Sequence, residues 1–145
     1  MKNMNKFAEH VIYVAHNSSK NKTITNLQLQ KVMYFSIQDY IRDNGIDSEL
    51  EDMYDIPFEA WPYGPVNRDE YFKNSMYGSN DIFDGGKECD DFEKFNQYII
   101  SNSNENVYEL VKRSHQEDKW KDNEEKIKKH KLVEYSLEDI AYGAK

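Results

Sequence analysis

Thr25-Asn26-Leu27-Gln28-Leu29-Gln30-Lys31-Val32-Met33-Tyr34-Phe35-Ser36-Ile37-Gln38-Asp39-Tyr40-Ile41-Arg42-Asp43-Asn44-Gly45 is the most regular stretch of this 145-residue chain. Leu29, Val32, Met33, Ser36, Ile37, Tyr40 and Ile41 recur at the spacing of one helix face, which predicts a long amphipathic helix. Thr25 followed three residues later by Gln28 reads as a capping box, in which side chains satisfy backbone N–H groups at the helix start. Gly45 after Asn44 supplies the stop, because glycine accepts the left-handed conformation at a helix end.

Working back toward the N-terminus, Phe7, Ala8, Val11, Ile12 and Ala15 repeat the same spacing and predict a first helix over about residues 4–17. A polar loop over 17–22 separates the two. In the other direction the helical period is lost from Leu50 to Trp61, and Pro57, Pro62 and Pro65 fall within nine residues. An extended or hairpin-like stretch is expected there, around Phe58-Glu59-Ala60-Trp61. Pro65 suits the first turn of a following helix, where its missing N–H costs nothing, so Val66–Met76 is read as that helix and 78–86 as a loop with a Gly85-Gly86 turn. Phe92, Phe95, Tyr98 and Ile99 predict a helix over 89–101, broken at 102–104 and restarted by Val107, Leu110, Val111 and Ser114. Ser136-Leu137-Glu138-Asp139 caps a short last helix containing Ile140, with Ile127 and Leu132 packing before it. The fold class is therefore mainly α: a single compact multi-helix domain over residues 1–145, with a short extended or hairpin segment around residues 50–61.

Composition sets limits on this reading. Leu, Ile, Val and Phe supply only 31 residues, near the level at which a highly charged chain stays disordered. Eleven Tyr, seven Phe and two Trp offset the shortage, so a Tyr-rich core and boundary is expected. The single cysteine, Cys89, excludes an intramolecular disulfide and a multi-thiolate zinc site. The charged first six residues precede no apolar stretch of signal length. No segment approaches the roughly 20 apolar residues of a membrane span, so a soluble cytoplasmic protein is expected.

Net charge is -8, which repels a phosphate backbone, and no direct nucleic-acid binding is expected. The acids are concentrated. Residues 39–59 hold eight acidic residues against Arg42 alone, a surface suited to steering a basic partner. Only 119–131 leans the other way, with six lysines against three acids, and reads as a solvated helix face.

Catalytic constellations are missing. His10, His16, His115 and His130 are scattered without the helical pairing of metal ligands and read as structural or surface residues. There is no phosphate-cradling glycine loop and no nucleophile elbow, and Ser114 and His115 are neighbours whose side chains diverge on a helix. No enzyme activity, cofactor or metal is expected.

Three blocks remain that no helix requires: Leu29-Gln30-Lys31-Val32-Met33-Tyr34-Phe35, then Phe58-Glu59-Ala60-Trp61-Pro62-Tyr63-Gly64-Pro65-Val66 with Tyr71, then Ser114-His115-Gln116-Glu117-Asp118-Lys119-Trp120. Their order and spacing resemble the Panacea, or SocA-like, family of prophage-associated proteins and antitoxins, over about residues 7–125. That family shows a Leu-Gln-Lys-Leu-Leu-Tyr helix, an Ala-Trp-x-Tyr-Gly-Pro-Val block and a Thr-His-x-x-x-x-Trp block. Leu29, Gln30, Lys31 and Tyr34 match the first, Ala60, Trp61, Tyr63, Gly64, Pro65 and Val66 the second, and His115 and Trp120 the third. Ser114 stands where the family has Thr and Met33 where it has Leu, and the tail beyond Lys126 matches weakly. No accessory helix-turn-helix unit is seen, so self-repression of an operon is not expected.

The resemblance implies a mostly helical antitoxin that neutralises a toxin, encoded by a neighbouring gene, by direct binding or by adapting it for proteolysis. On that reading Trp61 and Pro65 fix the bend before the third helix, while Trp61, Tyr63, Asp55 and Glu59 make the partner-binding set. Gln30, Lys31 and His115 are expected to hydrogen-bond one another across helices as an internal brace. The alternative is a phage-encoded inhibitor whose acidic face occupies the nucleic-acid groove of a host defence or replication protein.

Overall fold

The computed structural model describes residues 3–144, which are mostly helical with one two-stranded antiparallel hairpin. Helix α1 spans Met4–Ser18 and starts where the Asn3 side chain accepts from the Lys6 amide. Helix α2 spans Asn26–Asn44, with the Thr25–Gln28 capping box formed and Gly45 closing it at φ +78°. Both helices agree with the reading above, because their starts rest on local side-chain-to-backbone bonds and the end of α2 on a glycine at positive φ whose N–H reaches Ile41 O.

The environment of α2 was less legible. Every side chain from Leu29 to Gln38 is buried, polar ones included, because α1, the later helices Asn96–Ser103, Val107–His115 and Leu137–Gly143, and the hairpin surround the helix. A one-face stripe thus becomes an axle. Gln30, Lys31, Ser36 and Gln38 sit inside the molecule, where each needs a partner.

Residues 50–53, the beginning of the stretch expected to be extended, are instead helical. Ser48–Met53 forms α3, capped by the Asp47 side chain on the Leu50 amide and burying Leu50 and Met53. Six residues hold too few turns for the period to register. The hairpin lies a little later, with β1 at Glu59–Trp61 and β2 at Gly64–Val66, joined by Pro62-Tyr63. Pro65 therefore belongs to β2 and not to the first turn of a helix. It faces Ala60, whose N–H goes to Val133 O at 2.8 Å, so a proline there removes no ladder bond. Asn67 then caps α4, Arg68–Lys73, which is shorter than the expected 66–76 and is followed by a 3-10 turn at Ser75–Tyr77.

A 3-10 turn at Asp90–Phe95 runs into α5, Asn96–Ser103, and α6 follows at Val107–His115. Short helices α7, Asp118–Lys121, and α8, Glu124–Lys128, lead to Val133–Tyr135, which lies against Phe58–Ala60. The capped last helix, α9, is Leu137–Gly143.

The core is aromatic, as composition required. Phe7 meets Phe92 and Phe95 edge-on, and Tyr34 meets Phe35, Phe58 and Tyr135 at centroid distances of 5.1–5.4 Å. His10 is structural: Cys89 N donates to its Nδ1, so Nε2–H donates to Asn96 Oδ1 at 2.7 Å.

Candidate functional site: the hairpin bend and its supports

A hairpin of two three-residue strands leaves most of its peptide groups outside any ladder, and each one buried must find a partner. Here the partners are side chains from three helices. Lys31 Nζ on α2 donates to Pro65 O at 2.8 Å, His115 Nε2 on α6 donates to Pro62 O at 2.8 Å, and Trp120 Nε1 on α7 donates to Trp61 O at 2.9 Å. Gln30 Oε1 accepts from Asn67 N at 2.8 Å just beyond β2. The His115 and Trp120 rings stack at 4.0 Å, which fixes the direction of both donors. Gln30, Lys31 and His115 thus do not bond one another as expected. Lys31 and His115 bond the hairpin backbone instead, and Gln30 bonds the amide that follows β2.

Gly64 lets the bend approach this closely. Its φ is +102°, and a Cβ there would collide with Ser114 Oγ and lie 3.1 Å from Lys31 Cε. Lys31 is wholly buried with no carboxylate beside it among the described residues, and burial pushes its amine from 10.5 down to about 7. A depressed lysine next to a serine invites comparison with a nucleophile and its base. Ser114 Oγ, however, donates to Val111 O, both residues are fully buried, and neither lines a groove. Their work is structural.

Beside the bend, Tyr34 OH donates to Glu117 Oε1, and Gln38 Nε2 bridges Glu117 Oε2 and Ile140 O. Burial raises the Glu117 carboxyl, while the Tyr34 and Gln38 bonds and Arg113 pull it back. This ties α2 to the α6–α7 junction and to α9. Tyr34→Phe should cost about 1–3 kcal/mol in a urea melt, because Glu117 loses a buried donor. Tyr135→Phe removes a buried hydroxyl that has no partner among the described residues and should be neutral or stabilising in the same melt.

Above these supports the bend is at the surface. Tyr63 is 64% exposed. Trp61 is half-buried, its ring edge-on to Tyr71 at 5.1 Å and its indole N–H on Glu59 Oε1 at 3.2 Å. Two grooves flank it and share only Trp61 and Pro62. One, of about 580 Å³, is walled by Trp61, Tyr63, Tyr71 and Tyr108 over a floor of Asn26 and Gln30. The floor amides are already engaged, Gln30 with Asn26 and Asn26 with Tyr71 O, so the groove offers mainly apolar contact. The other, of about 460 Å³, lies toward α8.

Of the expected contact set, Trp61, Tyr63 and Glu59 are together on the hairpin. Asp55 is not with them; it accepts from Met4 N at the start of α1 and lines neither groove. Leu29, Tyr34, Ala60, Gly64, Pro65, Val66 and Trp120 are buried, and His115 is half-buried. Asn67, Tyr108 and the role of Glu117 were not anticipated. Glu117 stood inside a quoted block, but a partner 83 positions away leaves no local signal.

Many acids of 39–59 act within the fold: Asp39 and Asp43 pair with Arg42, Glu49 with Lys94, and Asp47 caps α3. Among the described residues no group of three or more His, Cys, Asp or Glu side chains is placed to hold a metal, and no helix is long and apolar enough to cross a membrane. No family model, curated protein or solved structure matches the chain.

Proposed function

We propose that this chain is an antitoxin-type protein that neutralises a toxin from a neighbouring gene by gripping it with the Trp61–Tyr63 bend and the aromatic groove beside it. One observation carries the reading: an exposed tyrosine at the tip of a turn whose carbonyls at Trp61, Pro62 and Pro65 are each held by a different helix. A contact residue so mounted loses little freedom on binding, which favours affinity from a small area. The first and third matched blocks supply Lys31, His115 and Trp120, the side chains that hold the bend formed by the second, and this links the resemblance to the geometry.

The experiment is co-expression with the product of the adjacent reading frame. Relief of growth arrest together with co-purification is expected, and a complex anchored on aromatics should persist in high salt. A neighbour harmless by itself, or a complex lost on raising salt, contradicts the reading; the second result favours the acidic-face inhibitor.

A further inference from the structure

The lysine-rich stretch of the sequence lies beside the second groove. Lys126–Lys131 holds four lysines and no acid in a chain of net charge -8, and its end bends sharply: His130 adopts φ +59°. The conformation is uncommon for a residue bearing a side chain. Lys131 N reaches back to Lys126 O at 2.9 Å, which places His130, Lys131 and Leu132 along the groove.

Its floor is apolar, from Ala60, Trp61, Ile127 and Val133, and its walls carry Phe72 at 54% exposure and Leu132 at 66%. Arg68 and Lys131 provide the positive charge; the Arg68 guanidinium lies 5.6 Å from the Phe72 ring centroid, and the Lys131 ammonium has no partner among the described residues. Glu59, the one acid lining the groove, is occupied by the Trp61 indole and by Arg68 at 3.9 Å. Two large exposed apolar side chains beside the unpaired Lys131 ammonium and the Arg68 guanidinium, held only at 3.9 Å by Glu59, on a protein of net charge -8, favour an apolar group flanked by carboxylates.

We infer that this groove docks an acidic polypeptide segment carrying a single large apolar anchor, with the anchor between Phe72 and Leu132 and the flanking carboxylates on Arg68 and Lys131. The site is separate from the Tyr63 tip and does not rest on the antitoxin reading.

The test titrates the isotope-labelled full chain with amidated decapeptides of Asp and Glu bearing one central Leu, Ile or Phe, followed by NMR. At least one anchored peptide should shift the amides of Phe72, Lys131, Leu132 and Val133 at concentrations below about 1 mM. The Arg68→Glu/Lys131→Glu double variant and an anchorless peptide should each bind roughly tenfold or more weakly. The substituted side chains are exposed, and an unchanged melting temperature checks their folding. Tyr63→Ala should leave the titration unaltered, which separates this site from the proposed toxin contact. Failure of every anchored peptide to move the groove signals, undiminished binding to the charge-reversed variant, or tighter binding of a single-stranded oligonucleotide at the same signals overturns the inference.

Discussion

Gly64→Ala is expected to destabilise the protein by roughly 3–5 kcal/mol, from a strained positive φ together with overpacking against Ser114 and Lys31. The methyl group has nowhere to go. Ser114 Oγ occupies the space in front of it and is itself held by Val111 O, while Lys31 is tethered to Pro65 O. Urea denaturation should show the loss as a lower midpoint. Adding Ser114→Ala should recover the overpacking part, about 1–2 kcal/mol, and leave the conformational part. A tolerated Gly64→Ala would mean that the bend does not sit against α6 as described.

The stability of the protein should pass through a minimum near neutral pH, an inversion of the usual profile, because two deeply buried groups titrate there in opposite senses. Burial raises the Glu70 carboxyl from 4.5 to about 7, with Lys73 and the Asn5 amide opposing it. Between those values the unfolded chain is ionised and the folded one still protonated, so stability falls as pH rises through that window. Burial lowers Lys31 from 10.5 to about 7. Above 7 the folded amine is neutral while the unfolded one holds its proton, so stability climbs until about 10.5. Each limb should amount to a few kcal/mol. Urea midpoints from pH 4.5 to 10 should show a trough near 7 in the parent. Glu70→Gln should flatten the acid limb and Lys31→Met the alkaline one. A Lys31→Met variant that retains the alkaline rise contradicts the placement of that amine.

What could be read in advance was whatever is encoded within a few residues. Thr25–Gln28 and Ser136–Asp139 set helix starts, Gly45 sets a helix end, and the apolar spacing of Phe7–Ala15 needs no distant partner. α3 escaped because six residues carry too little period, and Pro65 misled because a proline fits an edge strand as readily as a first helical turn. The candidate site was legible as a set of residue types but not as a wiring diagram. Lys31, His115 and Trp120 stood out as polar or aromatic residues that helices do not need. Their acceptors, three successive features of one bend, lie 34, 53 and 59 positions away and leave no mark on local pattern. The same distance concealed the burial of α2 on all sides, since the helices that enclose it come mostly from the second half of the chain.

Tyr63→Ala tests the account most directly. The substituted ring is exposed and supports nothing beneath it, so melting temperature should hold while growth rescue and co-purification with the neighbouring gene product are lost, by at least about tenfold in affinity. Full neutralisation by a Tyr63→Ala protein that melts like its parent would show that the bend is not what grips the partner.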